Sequence, residues 1–160
     1  MFINVFRDKC SSDRSEKSFV HTYMLRNSVC SGGYSVDTAL AVEQMKAVRE
    51  AYGVSEDERI LYLRLTFLAY ECKDFTVEFA EMIAQKVCEV FCREYQVVYG
   101  VHHYNDCWYL HIVLNPVNMY SGEILQLDKS MLDDVKGVVF HYSGVELVGI
   151  RDDHRPYSLR

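Results

Sequence analysis

The segment VVYGVHHYNDCWYLHIVLNPVN, residues 97–118, predicts a β-hairpin around which the rest of the chain is organised. Two runs of β-prone residues flank a polar turn. Because side chains alternate between the faces of a strand, Tyr109 and His111 share one face of the second run. Pairing with the first run brings His102 or its neighbour His103 beside them. This face is a candidate metal or phosphate site. The opposite face is predicted to be a core face, made of Trp108, Leu110, Ile112 and Leu114.

Composition narrows the class of protein. The chain has 160 residues, of which 49% are hydrophobic and 25% charged, which is typical of one globular domain with a core of its own. The net charge of -6 argues against a dedicated nucleic-acid binder that relies on electrostatics, although it leaves room for a local basic groove. We expect no membrane partner, because no apolar run approaches the roughly 18 residues of a membrane span. Without a signal peptide, we expect the protein to be soluble and cytoplasmic.

The other segments alternate between strand and helix character. Apolar residues at +4, +3, +4 spacing predict a helix that begins at Ser35 or Asp37 and ends near Tyr52. Runs with high β-propensity predict strands, and Ser31-Gly32-Gly33 is predicted to break the first of them. The predicted order is strand 18–29, helix 35–52, strand 60–70, helix 76–95, the hairpin, helix 128–142 and strand 145–150.

This order predicts an α+β fold. An antiparallel-centred sheet with helices packed mainly on one face is expected, because a hairpin excludes a purely parallel sheet. Residues 18–150 are predicted to form a single domain. Residues 1–17 are predicted to be an N-terminal segment that is partly mobile, and residues 151–160 a charged tail.

The segment HHYNDCWYLHIVLNPVNMYSGE, residues 102–123, resembles the third motif of the relaxase (mobilisation nuclease) family, whose domain has the HUH endonuclease fold. That motif runs from a His through a seven-residue step to His-x-His, then apolar strand residues and an Asn. Here the corresponding positions hold His102, Tyr109 and His111. The Ser-Gly-rich entry to the first helix and the segment before the second are also similar, so the resemblance spans roughly residues 18–150.

The resemblance implies a metal-assisted nicking reaction on single-stranded DNA at a transfer origin, in plasmid or conjugative-element mobilisation. His102, His111 and Tyr109 would hold a divalent metal, Mg or Mn, which polarises the scissile phosphate. A Tyr would attack the phosphate and stay linked to it. Accessory mobilisation proteins are possible partners. Tyr23 is the first candidate for the nucleophile and Tyr34 the next, His21 could orient Tyr23, and Arg64 and Asn115 are expected to contact DNA.

Two departures from the family pattern leave alternatives open. Tyr109 stands where the family has His, and a neutral phenol with a pKa near ~10 is a poor ligand, so the metal could be absent. Residues 1–19 contain no Tyr, although the family's nucleophile lies early in the chain. The alternative is therefore a catalytically degenerate relaxase-fold protein that binds DNA or a protein. A third reading is a replication-initiator or transposase relative that uses Tyr142.

Overall fold

A six-stranded sheet forms the centre of the computed structural model, which describes residues 1–7, 10–54 and 59–153. Neighbouring strands are antiparallel, except that β1 and β6 run parallel. The predicted α+β class and antiparallel-centred sheet are confirmed. The strands, in the spatial order β2-β4-β5-β3-β1-β6, are β1 Phe2–Phe6, β2 Cys30–Tyr34, β3 Leu61–Phe67, β4 Val97–Tyr104, β5 Cys107–Leu114 and β6 Gly149–Asp153.

The predicted hairpin is present as β4 and β5. Asn105 and Asp106 form its turn with φ of 49° and 59°, a left-handed conformation that these residue types tolerate. The register pairs His102 with Tyr109 and Gly100 with His111. Both histidines therefore point to one face of the sheet, as the alternation predicts.

The helices begin at polar side chains that accept a backbone hydrogen bond. Asp37, Thr76 and Asp128 accept from the first turn of their helices, as expected for N-caps. Ser12 and Ser15 form a reciprocal capping box that the sequence analysis missed. The helices are α1 Asp13–Lys17, a π-helix Ser18–Leu25 that continues it, α2 Ala41–Ala51 behind the 3-10 turn Thr38–Leu40, α3 Val77–Cys88, and α4 Lys129–Ser143.

Helices cover both faces of the sheet. On one face α3 and α4 enclose the larger core, to which β3 contributes its odd-numbered side chains. On the other face the π-helix and α2 cover a second core that includes Phe19, Met24, Met45, Tyr62 and Val113. His102 and His111 of the hairpin lie on this second face. None of the helices in the described part of the chain has the length and apolarity that crossing a bilayer requires.

The prediction of a strand over residues 18–29 is wrong, because most of this segment is the π-helix. The backbone N–H of Arg26 donates to the carbonyl of His21, five residues earlier, at 3.1 Å. Phe19 and Val20 are adjacent and both buried, whereas a strand would place them on opposite faces. High β-propensity is overridden here by the packing of one helical face onto the sheet.

The predicted break at Ser31-Gly32-Gly33 is also wrong. These residues belong to β2, which pairs with β4 as an edge strand of the sheet. Their backbone pairing explains the result, since glycine weakens a strand without preventing its ladder of hydrogen bonds.

The chain's first residues lie inside the sheet. Strand β1 pairs with β3 on one side and β6 on the other, and Met1 and Ile3 are fully buried. The apolar start of the predicted N-terminal segment thus packs with residues 18–150. At the other end, β6 starts later than predicted and extends into the predicted charged tail. Residues 154–160 of that tail lie outside the described residues.

A buried ion-pair network ties α1 to α2. The Glu16 carboxylate accepts from Arg49 at 2.9 and 3.1 Å and from Arg59 at 3.4 Å, and all three side chains are buried. Burial is the largest effect on Glu16 and raises the pKa of its carboxyl, against the lowering effect of Arg49. Removing one partner from such a network leaves an uncompensated charge. The network therefore fixes α1, and with it the π-helix that continues α1.

Gly100 allows the end of the π-helix to approach the sheet. A Cβ at this position would lie 2.8 Å from the carbonyl oxygen of Met24, a backbone atom that cannot move aside cheaply. The same carbonyl accepts a hydrogen bond from the His102 ring at 2.8 Å. The missing side chain at Gly100 thus determines how closely Tyr23, next to Met24, can approach the hairpin.

We expect Gly100→Ala to lower the free energy of unfolding by about 1–3 kcal/mol, because the added methyl group overlaps the backbone of the π-helix. Gly137→Ala is the matched control, since nothing lies within 4 Å of a Cβ at that position in α4. There the smaller entropy of the unfolded chain should stabilise the protein by about 0.4–1 kcal/mol. Urea unfolding measures both. Equal effects of the two substitutions would contradict the close approach at Gly100.

Candidate active site

A pocket of about 370 Å³ lies on the sheet face that the π-helix covers. Its walls come from three places: the π-helix and the turn after it, strand β3, and the β4–β5 hairpin. Among the described residues that line it, Arg64 is the one Arg, and there is no Lys, Asp or Glu. The full lining is Tyr23, Asn27, Val29, Arg64, His102, His103, Tyr104, Tyr109 and His111.

The two predicted histidines lie side by side in this pocket. The ring centroids of His102 and His111 are 4.2 Å apart. The Nε2 atom of His102 lies 2.8 Å from the carbonyl oxygen of Met24, and the Nδ1 atom of His111 lies 2.6 Å from the hydroxyl of Tyr62. Each ring thus makes a hydrogen bond to a neighbouring element.

Tyr23 is next to both histidines. Its ring centroid is 5.8 Å from that of His102 and 5.7 Å from that of His111, with edge-on geometry in both cases. Phe19 stacks on its other side at 5.6 Å. At 38% exposure, the side chain can be reached from the pocket by a ligand. The sequence placed Tyr23 on a strand, but the π-helix brings it to the predicted cluster.

The other residues that were predicted to be the nucleophile or to orient it lie elsewhere. Tyr34 packs against the larger core, on the opposite face of the sheet. His21 points to α2, with its Nε2 3.7 Å from the Glu43 carboxylate. Tyr142 lies on α4, which packs against α3, and contacts Lys86. None of these three side chains lines the pocket.

Tyr109 lines the pocket directly opposite His102 in the hairpin register. Its burial, followed by the influence of Cys107, raises the pKa of the phenol and so disfavours the phenolate that a metal would need. Within residues 1–7, 10–54 and 59–153, no three His, Cys, Asp or Glu side chains are arranged to hold a metal ion. Two imidazoles and a neutral phenol do not fit a three-ligand metal site.

Of the two residues predicted to contact DNA, the structure brings one to the pocket. Arg64 lies opposite His111 in the β3–β5 register and lines the pocket, with its guanidinium carbon 5.6 Å from the Phe6 ring centroid. Its Nε is buried and has no hydrogen-bond partner among the described residues. The assignment of Asn115 is corrected. This side chain is fully buried and donates to Met45 and Gln96, because it anchors the end of β5 rather than facing solvent.

Tyr62 and the aromatic rim of the pocket were not predicted from the sequence. The π-helix buries Tyr62 on the same face of β3 as Arg64, with Phe6 stacked on its ring at 4.8 Å. At the rim, His103 stacks on Trp108 at 4.3 Å and Tyr104 is 68% exposed. The available signal was the alternation in β3, which puts Tyr62 on the same face as Arg64.

Comparison with protein-family models matches residues 21–139 to the family described as relaxase, MobA/VirD2-like, nuclease domain. The match covers about three quarters of the chain and includes Tyr23 and both pocket histidines. The chain belongs to the relaxase family. Relaxases bind single-stranded DNA and generally use a divalent metal. No curated protein and no solved structure matches this relaxase in the other two comparisons.

We expect Tyr109→His to raise the affinity for Mn²⁺ by about 10-fold or more, because it adds a third imidazole beside His102 and His111. Electron paramagnetic resonance of free Mn²⁺ measures the change. Tyr109→Phe is the control, since it removes the hydroxyl without adding a ligand, and its affinity should equal that of the unaltered protein. An equal gain in both variants would show that residue 109 does not face the ion.

Proposed function

We propose that this relaxase domain binds single-stranded DNA at the pocket and nicks it with Tyr23 as the nucleophile. The observation that carries the proposal is the position of Tyr23, half-exposed and in edge-on contact with His102 and His111. A nucleophile needs such neighbours, because a phenol attacks efficiently only when a base takes its proton. Tyr23 thus combines two histidine neighbours with access to an open pocket.

The reaction would be a transesterification. The Tyr23 oxygen forms a bond to phosphorus as the bond between phosphorus and the 3′ oxygen breaks, which leaves the tyrosine linked to the 5′ phosphate. Negative charge on the phosphate oxygens increases in the transition state and is stabilised by donors already in place. Arg64 supplies a guanidinium at the pocket wall, and its buried Nε is a donor for which a phosphate oxygen is a suitable acceptor.

The rim of the pocket suits a single strand. Unpaired bases stack on aromatic side chains, which contributes about 1–3 kcal/mol per base. Tyr104 offers such a surface at the tip of the hairpin, beside the stacked pair His103 and Trp108. These contacts are independent of net charge, so the overall charge of -6 does not oppose them.

The predicted metal has no step in this reaction. A divalent ion would act as a Lewis acid on the scissile phosphate, but the set of His102, His111 and Tyr109 does not fit it. A transfer origin as the DNA site, plasmid or conjugative-element mobilisation as the process and accessory mobilisation proteins as partners stay predictions. They follow from the family and not from the pocket.

A second candidate function is binding without nicking, as in a catalytically degenerate relaxase. Tyr109 favours it, because the third ligand position of the family holds a neutral phenol. In that case the pocket would still bind single-stranded DNA through Arg64 and the aromatic rim. The two functions differ in one observable, which is a covalent bond between Tyr23 and DNA.

We expect the protein to form a covalent adduct with members of a random pool of single-stranded oligonucleotides, and Tyr23→Phe to reduce the yield by at least about a thousandfold. Denaturing gels detect the adduct, and sequencing of the linked DNA gives the nicked site. The substitution removes only the attacking oxygen, so the fold should be unaffected.

Tyr120→Phe is the matched control for this experiment. It removes the hydroxyl of a tyrosine that is 76% exposed and does not line the pocket, and its adduct yield should equal that of the unaltered protein. An adduct that persists in Tyr23→Phe would assign the nucleophile to another residue. DNA binding without any adduct would favour the degenerate relaxase.

We expect Arg64→Gln to weaken binding of a single-stranded oligonucleotide and to lower the slope of log affinity against log salt by about 0.7, the value for one phosphate contact. Fluorescence anisotropy over a series of salt concentrations measures both quantities. Arg93→Gln, on the exposed turn after α3, removes the same charge away from the pocket and should leave the slope unchanged. Identical slopes for the two variants would exclude a phosphate contact at Arg64.

A further inference from the structure

A second cavity lies at the hairpin end of the sheet, on the face opposite the Tyr23 pocket. It has a volume of about 310 Å³, and Tyr70, Phe75 and Phe79 are among the residues that line it. The two phenylalanines pack on the larger core with their ring centroids 4.8 Å apart, which makes them a rigid wall. The Tyr70 side chain is 71% exposed, so its ring is accessible to a ligand in this cavity.

Two exposed side chains of opposite charge, Lys73 and Asp74, also line the second cavity. Neither forms an ion pair or a side-chain hydrogen bond with another residue in the described part of the chain. The third charged group, Glu71, is already engaged, because its carboxylate accepts hydrogen bonds from the Met1 ammonium and from the backbone N–H of Leu68. One cation and one anion therefore remain for a ligand, which suits a molecule that carries both a phosphate and a hydrogen-bond donor.

A row of aromatic side chains connects the two cavities. His103, Trp108 and Phe67 are cross-strand neighbours in β4, β5 and β3. The His103 ring stacks on Trp108 at 4.3 Å, and the Phe67 ring centroid lies 5.2 Å from that of Phe75 in the wall of the second cavity. His103 also lines the Tyr23 pocket, so the row begins at one cavity and ends at the other.

The loop that carries Tyr70 is attached to the hairpin. The Sγ atom of Cys72, which is buried in this loop, lies 3.4 Å from the carbonyl oxygen of Asp106 in the hairpin turn. Tyr104 and His103 are neighbours in β4 and are both exposed, so their rings point to opposite faces of the sheet. Exposed rings are thus available to a bound strand on both sides of the hairpin tip.

We infer that the second cavity binds an unpaired base of the same single strand whose scissile phosphate occupies the Tyr23 pocket. The inference rests on the proposed function, because it needs single-stranded DNA at that pocket. The base stacks on Tyr70 and contacts the wall that Phe75 and Phe79 form. Stacking accepts every base, since each has a π-face. Lys73 contacts a phosphate next to the stacked base.

The Asp74 carboxylate adds a preference among the bases. A carboxylate accepts a hydrogen bond from the exocyclic amino group of cytosine, and thymine has no such group. Because Asp74 has no partner of its own among the described residues, it is available for this contact. The second cavity therefore favours cytosine over thymine.

Fluorescence anisotropy with oligonucleotides of about 15 nucleotides tests the stacking contact. Tyr70→Ala should weaken the binding of oligo-dC by about 5-fold or more, which corresponds to the loss of one stacked base. Tyr120→Ala is the matched control, because it removes a similarly exposed ring that lines neither cavity, and it should leave the affinity unchanged.

The ratio of the affinities for oligo-dC and oligo-dT tests the contact of Asp74. The unaltered protein should bind oligo-dC about 5-fold or more tightly than oligo-dT. Asp74→Ala should bring the two affinities within about twofold of each other. Asp133→Ala removes the same charge from the exposed side of α4 and should keep the preference. A preference that survives Asp74→Ala would overturn this assignment of Asp74.

Photo-cross-linking of the unaltered protein locates the base independently of any substitution. Oligo-dC that contains 5-iodocytosine should form a cross-link that mass spectrometry assigns to Tyr70. Equal affinities of Tyr70→Ala and Tyr120→Ala, without a cross-link at Tyr70, would overturn the inference and leave the cavity to a protein partner. The proposed function would stand in that case if Arg64→Gln still weakened binding. Absence of any binding of single-stranded DNA by the unaltered protein would overturn the proposed function, and this inference with it.

Discussion

The contact between the end of the π-helix and strand β4 is the constraint on which the site depends. At this point the Met24 carbonyl lies over Gly100 and accepts a hydrogen bond from His102. A helix end leaves carbonyls without partners inside the helix, and each buried one must find a donor elsewhere. His102 supplies that donor from the sheet. One hydrogen bond therefore completes the helix, orients the histidine ring and places Tyr23 against it.

Most of the site's side chains lie on paired strands and on the π-helix. The hairpin register fixes His102 and Tyr109 opposite each other, and β3 adds Arg64 opposite His111. Side chains on paired strands are placed more accurately than those on loops, which suits a reaction sensitive to small displacements. The buried ion pair of Glu16 and Arg49 supports the helical side of the pocket, since it anchors the helix that leads to Tyr23.

Much of this arrangement could be predicted, because alternation along the hairpin depends only on the period of a strand. That period placed His102 and His111 on one face and identified the core face opposite. The prediction of a strand over residues 18–29 failed because β-propensity is a local property of the sequence. The π-helix depends instead on packing onto a sheet that distant segments form. Asn115 failed for a related reason: its motif position says nothing about whether its amide is satisfied inside the protein.

The hydrogen-bond partner of a buried histidine is a property that the sequence cannot supply. A histidine in a relaxase motif suggests a ligand, and the hydrogen bond of the second ring nitrogen orients such a ring. The partner of that nitrogen is Tyr62, on a strand almost fifty residues earlier, which the sequence gives no reason to pair with His111. This hydrogen bond fixes the orientation of the His111 ring in the pocket. Tyr109 and Tyr62 therefore shape the same site by separate routes. One replaces the imidazole of the family pattern opposite His102, and the other orients the ring of His111.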